Sequence, residues 1–264
     1  MVDKITFLGT GGGRVVFANQ YRSTAGFVIN ISNWQIHVDP GPGALSKAAD
    51  YGINPQSTDV IFASHHHIDH ANDINALIAA ITLDGVRKTK GTLIAPRAVT
   101  QRGSWLLPKY RDLLKQIVNL QPGEKKDMGE LIFEAMDAKH DAEGVIGLKL
   151  HTPNCTIGYT SDTAYSQRLA RQFKDCHILI ANVLRPGNED YKTHFTTATA
   201  TKLADIARPE LLVIQHFGAR MLRDKPLYAA RDIQRHTGVR TVAATDGDRY
   251  TGADRFAHRH ACSN

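Results

Sequence analysis

Ser64-His65-His66-His67-Ile68-Asp69-His70 is the stretch on which the reading of this chain turns. It contains the pattern H-x-H-x-D-H at His65, His67, Asp69 and His70. With 13 histidines in 264 residues, the pattern arises by chance in about two of a thousand such chains, so it is a specific signal. The apolar run 60–64 before it reads as a buried strand. Residues 73–83 after it, with Ile74, Leu77, Ile78 and Ile81 on one face, read as a helix. The histidines therefore occupy a loop at the edge of a sheet. On an extended segment residues i and i+2 point the same way, so His65 and His67 can grip one metal together. Asp69 and His70 then turn toward a second position. Imidazole suits zinc and iron, and the carboxylate adds a harder ligand that manganese also accepts. His66 faces away from its neighbours and stays outside the set.

Outward from this loop, short β-rich runs alternate with helical ones. Residues 4–8 form the first expected strand, ending in Gly9-Thr10-Gly11-Gly12-Gly13. Arg14 stands where a dinucleotide fingerprint needs its third glycine, and no P-loop lysine follows. The turn is therefore read as a place where backbones approach closely. Residues 26–31 and 34–39 read as a hairpin around Ser32-Asn33. Further strands are expected over 93–95, 131–137, 145–151, 155–160, 178–182, 211–215 and 239–244, with helices over 44–51, 165–173, 196–207 and 227–237. Hairpins in each half, with helices between the later strands, predict two mixed sheets with helices outside. Lys125-Lys126 and Arg87-Lys88-Thr89-Lys90 read as solvated loops.

Composition narrows the class. Apolar residues make up 42% and charged residues 22%, the balance of a soluble globular protein, and a single domain over 1–264 is expected. No apolar run approaches the roughly 20 residues of a membrane helix. The N-terminus lacks a basic region followed by a long apolar segment, so no signal peptide is expected. Cys155, Cys176 and Cys262 form no C-x-x-C and no disulfide framework, which predicts a cytoplasmic protein with packed thiols at Cys155 and Cys176. The net charge of +6 favours anionic partners without separating RNA from a small phosphate ester.

His65, His67, Asp69 and His70 resemble the signature of the metallo-β-lactamase superfamily. That resemblance implies an αββα sandwich and two divalent metal ions, zinc or manganese. It also implies the remaining ligands. His140, after the strand 131–137, would complete the first site with His65 and His67. Asp162, in Tyr159-Thr160-Ser161-Asp162-Thr163, matches the family's Y-x-x-D-T segment and would bridge. His216, after 211–215, would join Asp69 and His70 at the second site. Asp39 matches the family's early aspartate, which orients a ligand histidine.

The resemblance narrows further. His194-Phe195-Thr196-Thr197 lies 22 positions before His216 and is similar to the histidine-hydroxyl motif of the phosphodiesterase branch, which includes tRNase Z and the PhnP-type cyclic phosphodiesterases. It implies that His194 is the proton donor and that, with Asp69, it carries the catalysis. The opening Phe7-Leu8-Gly9-Thr10-Gly11-Gly12 resembles the start of that branch. Gln215-His216-Phe217-Gly218-Ala219-Arg220 is similar to the T-H-F-S-x-R ending of tRNase Z, which makes Arg220 a candidate to hold a phosphate oxygen. Only 22 positions separate His140 from Asp162, where tRNase Z normally inserts its tRNA-holding arm. The resemblance is therefore closer to the PhnP type. The expected substrate is a small or cyclic phosphodiester or a short nucleic acid, with no membrane partner, and a second copy of the chain is a further candidate partner. Competing readings are a lactonase, thioesterase or β-lactamase-like hydrolase, a tRNase Z-like ribonuclease, and a metal-binding subunit without turnover. His194 separates the first of these from a phosphodiesterase.

Other conspicuous residues read as structural. His37 and His151 fall within strands, His177 and His236 at element ends, and His258 and His260 in a charged tail. Asp246-Gly247-Asp248 reads as a turn.

Overall fold

The computed structural model describes residues 4–251 except 88, 102, 104, 189 and 190, so His258, His260 and Cys262 lie outside the described residues. In chain order the strands are β1 (Lys4–Phe7), β2 (Phe27–Ile31), β3 (Trp34–Val38), β4 (Val60–Phe62), β5 (Thr92–Ala95), β6 (Gln116–Asn119), β7 (Lys125–Asp127), β8 (Ile132–Asp137), β9 (Ile146–His151), β10 (Thr156–Tyr159), β11 (Ile178–Arg185), β12 (Phe195–Thr196), β13 (Leu211–Gln215), β14 (Thr241–Ala243) and β15 (Arg249–Thr251). They form two sheets, ordered β15-β1-β2-β3-β4-β5-β6 and β14-β13-β11-β10-β9-β8-β7, with β12 beside β11. Both are mixed. The hairpin β2–β3 is antiparallel and β3 to β6 run parallel. In the second sheet β7 to β10 alternate, and β10, β11, β13 and β14 run parallel.

The period of two in each strand decides what faces where. Phe7, Phe27, Ile36 and Val38 of the first sheet meet Phe133, Leu148, Ile180 and Val213 of the second in one buried core. The alternate residues of β11, Leu179, Ala181 and Val183, face the opposite side and pack with Leu203 and Ile233 of the helices Thr197–Ala207 and Pro226–Thr237. Buried on both faces, β11 reads as a continuous apolar run. On the far side, Ile74, Leu77, Ile78 and Ile81 of the helix Ile74–Thr82 cover Ile61 and Leu93. The result is an αββα sandwich. No helix among the described residues is long and apolar enough to cross a membrane.

The edge strands β6 and β15 are not among the expected strands, and two further features differ from the expectation. The sequence Lys125-Lys126 is not a loop but the edge strand β7, where lysines are the side chains that discourage further strand pairing. Residues Gly13–Asn19, directly after the glycine turn, form a short helix with Val16 buried. The C-terminal ends of β3, β4, β8, β10, β11 and β13 lead into Asp39, Ser64, His140, Asp162, Arg185 and His216, so one edge of the sandwich collects the chemistry-bearing loops.

Candidate metal centre

Three of these loops turn through unusual backbone. Asp39 (φ 49°) and His216 (φ 60°) both adopt the left-handed region directly after their strands, as does Ser161 (φ 56°) beside Asp162. Such a conformation costs about 1–3 kcal/mol for a residue with a Cβ and persists where the surroundings over-determine it. Here it bends the chain sharply off the strand end. The glycine turn serves the same place. Gly12 lies flat against the His216 ring, and a Cβ there would overlap the imidazole.

The residues expected to ligate come together. Donor atoms of His65, His67 and His140 lie within 4.8 Å of one another, and so do those of Asp69, His70 and His216. His67 Nδ1 is 3.2 Å from His140 Nε2, and His70 Nε2 is 3.2 Å from His216 Nε2. Asp162 Oδ2 stands between the two groups, 3.4 Å from both His70 Nε2 and His216 Nε2 and 3.8 Å from His140 Nε2.

Hydrogen bonds fix which nitrogen faces inward. His70 Nδ1 donates to Asp39 Oδ2 (2.9 Å), and His140 Nδ1 donates to the Thr193 carbonyl (2.9 Å). The Ser64 hydroxyl donates to Asp39 Oδ2 (2.6 Å), so at 3.0 Å it accepts from His65 Nδ1. His65 and His140 thereby turn bare Nε2 atoms to the centre, and His70 turns its Nε2 to the same place. His65 Nε2 is buried with no hydrogen-bond partner among the described residues. Imidazole nitrogens and carboxylate oxygens converging in a buried place are a donor set that suits cations.

Burial, followed by the neighbouring imidazole of His70, holds His65 well below the usual histidine range, and burial also lowers His67 and His140. These are neutral imidazoles, the form that ligates. Burial alone would raise Asp162, but His216, His70 and His194 outweigh it and hold the carboxyl well below its usual range. Asp69 is lowered in the same way, His70 and His216 overcoming its burial. His70 goes the other way. Burial lowers it, yet Asp162 and Asp69, with the hydrogen bonds to Asp162 and Asp39, hold it well above. The field at the centre thus favours positive charge.

A polar chain behind the ligands ties the two groups together. Asp39 accepts from the Ser64 amide (2.6 Å) and from the Tyr159 hydroxyl (2.6 Å). Asn182 Nδ2 donates to Tyr159 Oη (3.1 Å) and to Asp162 Oδ1 (2.7 Å), while Gln215 Nε2 donates to Asn182 Oδ1 (3.0 Å). One carboxamide therefore connects Asp162, the support of His70, and the residue before His216. The sequence signal for Asn182 is a polar residue in an otherwise apolar strand.

His194 sits closer to the ligands than its place in the sequence suggested. Its Nε2 is 3.2 Å from Asp162 Oδ2, its Nδ1 is 2.9 Å from Thr193 Oγ1, and its ring stacks 5.7 Å from that of His216. With His140 and Asp162 it makes a further group of metal-capable donors. Asp141, which sequence reasoning passed over, places Oδ1 2.9 Å from His140 Nε2. Arg220 lines the cavity above the centre. Asp246 lies elsewhere: it accepts from the Thr10 amide and hydroxyl and from the Ser23 amide, clamping two loops. His37 is buried in β3 and points to the Ala25 carbonyl, as a strand residue should.

The β-lactamase superfamily domain matches residues 34–217, a span that holds Asp39, His194 and all seven expected ligands. The chain belongs to the β-lactamase superfamily. Among superfamily relatives, the uncharacterized protein MJ1374 of Methanocaldococcus jannaschii is 34% identical over 250 residues, 92% of this chain and 93% of that one. Ribonuclease Z of Methanopyrus kandleri is 24% identical over 165 residues, 62% of this chain and 54% of the relative. The crystal structure of the metallo-β-lactamase fold protein YhfI of Bacillus subtilis superposes with a TM-score of 0.80 at 20% identity, covering 95% of this chain and 99% of that one. The superfamily fold implies divalent metal ions, and the donor set fits them. In this superfamily chain Asn182→Ala leaves Asp162 and Tyr159 each short of a donor. Metal affinity should fall about 10–100-fold, read by competition with a chromophoric chelator, while the folded state survives excess chelator as in the wild type. Unchanged affinity would show that the chain behind the ligands does not position them.

Proposed function

We propose that the chain is a hydrolytic phosphodiesterase. The observation that carries this reading is the place of His194, 3.2 Å from Asp162 and on the wall of the same cavity as Asp69, His140 and His216. A phosphodiester needs its leaving alkoxide protonated, whereas a lactone or thioester has no such need at that position.

His65, His67 and His140 would hold one divalent ion, and Asp69, His70 and His216 the other, with Asp162 between them. When bound, such a pair of zinc or manganese ions supplies a water acidic enough to attack at neutral pH and positive charge for the substrate's oxygens. Asp69, whose carboxylate reaches the cavity, accepts the proton that the attacking water gives up. Arg220 holds a non-bridging phosphate oxygen with its planar guanidinium. His194 delivers a proton from Nε2 to the departing oxygen, since imidazole is the side chain that exchanges protons near neutral pH. Thr193 positions it: the hydroxyl meets His194 Nδ1, while the carbonyl of the same residue holds ligand candidate His140. The buried thiols Cys155 and Cys176, joined in no disulfide among the described residues, suit a reducing, cytoplasmic setting.

The substrate is a small phosphodiester. Between His140 and Asp162 the chain is taken up by β9, β10 and short turns, leaving no segment for a tRNA-holding arm. A panel of bis-p-nitrophenyl phosphate, cyclic nucleotides, a lactone, a thioester and a precursor tRNA, each with zinc or manganese, tests the reading. The phosphodiesters should be turned over, with precursor tRNA a poor substrate. Preference for the lactone or thioester would overturn the phosphodiesterase. Efficient, site-specific cleavage of the tRNA 3′ end at physiological salt would restore the ribonuclease reading.

A further inference from the structure

The cavity above the centre holds about 560 Å³, and three arginines line it: Arg14, Arg185 and Arg220. They come from the helix Gly13–Asn19, the end of β11 and the helix Ala219–Arg223. Backbone contacts join these three elements into one wall. The Gly218 amide donates to the Leu184 carbonyl (3.0 Å), the Gly12 amide donates to the Phe217 carbonyl (3.2 Å), and Gly13 and Gly218 both pack on the Leu184 side chain.

None of the three guanidiniums meets a carboxylate among the described residues, so their charge is left to the cavity they line. Arg185 lies 4.2 Å over the Tyr191 ring and donates to its hydroxyl (3.4 Å), and that ring is 5.8 Å from His194. A track of cation and aromatic thus leads away from the proposed proton donor. A scissile phosphodiester carries one negative charge, which Arg220 and the metal centre already answer. Two more guanidiniums on the same wall, neither meeting a carboxylate among the described residues, supply the charge for a second phosphate, which arginine binds through paired N–H donors.

We propose that Arg14 and Arg185 form a subsite for a second phosphate beside the one that Arg220 holds, so that the substrate is a phosphodiester bearing a further phosphate, as in a 5′-phosphorylated dinucleotide. A cyclic mononucleotide, with one phosphate, leaves this wall unused. The inference rests on the phosphodiesterase reading.

The test compares a dideoxyadenylate dinucleotide with and without a 5′-phosphate, and separately measures binding of adenosine 3′,5′-bisphosphate against adenosine 5′-monophosphate to the metal-loaded protein. The wild type should cleave the phosphorylated dinucleotide with a kcat/KM about tenfold higher or more and bind the bisphosphate tighter by a similar factor. In Arg14→Ala/Arg185→Ala both ratios should fall to near one. Equal kcat/KM for the two dinucleotides, or equal binding of the two nucleotides, in the wild type would overturn the subsite. Failure to cleave either dinucleotide or bis-p-nitrophenyl phosphate would instead overturn the phosphodiesterase, and the binding ratio would still decide the subsite.

Discussion

His194→Ala should keep both metal ions and still lose about 10²–10⁴-fold in turnover of a diester whose leaving group is a sugar alkoxide. An alkoxide is a strong base and departs only as it gains a proton, so removing the donor exposes the full cost. With p-nitrophenolate, which leaves unaided, the same variant should lose much less. Measuring both substrates on one preparation makes the ratio of losses independent of the active fraction. Metal content must be measured alongside, because His194 Nε2 lies 3.2 Å from Asp162 and shares a donor group with His140. Equal losses on the two substrates would remove His194 as the acid. Loss of an ion would make it a ligand.

The centre was legible in the sequence where its parts are local. His65, His67, Asp69 and His70 fall within six positions, and extended-chain geometry already divides them between two sites. His140, Asp162 and His216 could be placed by resemblance because each follows an apolar strand. Partnerships across long separations were not legible. Tyr159 supports Asp39 across 120 positions, and Asn182 reaches Asp162 across 20 from inside an apolar strand. Each residue can be picked out in its own segment, but neither segment names the partner it bonds. The arginine wall was hidden for the same reason, since Arg14, Arg185 and Arg220 become neighbours only through contacts among Gly13, Leu184 and Gly218. Of the fold, the buried strands stood out by their apolar runs. The edge strands β6, β7 and β15 did not, because an edge that must stay unpaired carries polar and charged residues. The helix Gly13–Asn19 escaped because glycine, the poorest helix former after proline, crowds its start.

Asp162→Ala should be more damaging still. Among the described residues its Oδ2 is the one carboxylate oxygen within 4 Å of His70, His140, His194 and His216, and Asn182 holds its other oxygen. Without it a buried cluster of imidazoles loses the charge at its middle, and the two proposed ion sites would lose their common ligand. Turnover should fall by more than the roughly 10²–10³-fold that a single lost charge-stabilising group costs. The sandwich should still fold, because its core lies between the sheets in Phe7, Phe27, Phe133 and Val213, away from this edge.

The central claim is a phosphodiesterase that needs two ions held by these seven residues. Zinc or manganese titrated into chelator-stripped wild-type protein, with bound metal and bis-p-nitrophenyl phosphate hydrolysis followed in the same samples, tests it most directly. The account predicts that the rate rises until two ions are bound per chain and then levels, and that Asp162→Ala never reaches that plateau. A rate that is full with one ion bound, or that is the same with no metal at all, would contradict it.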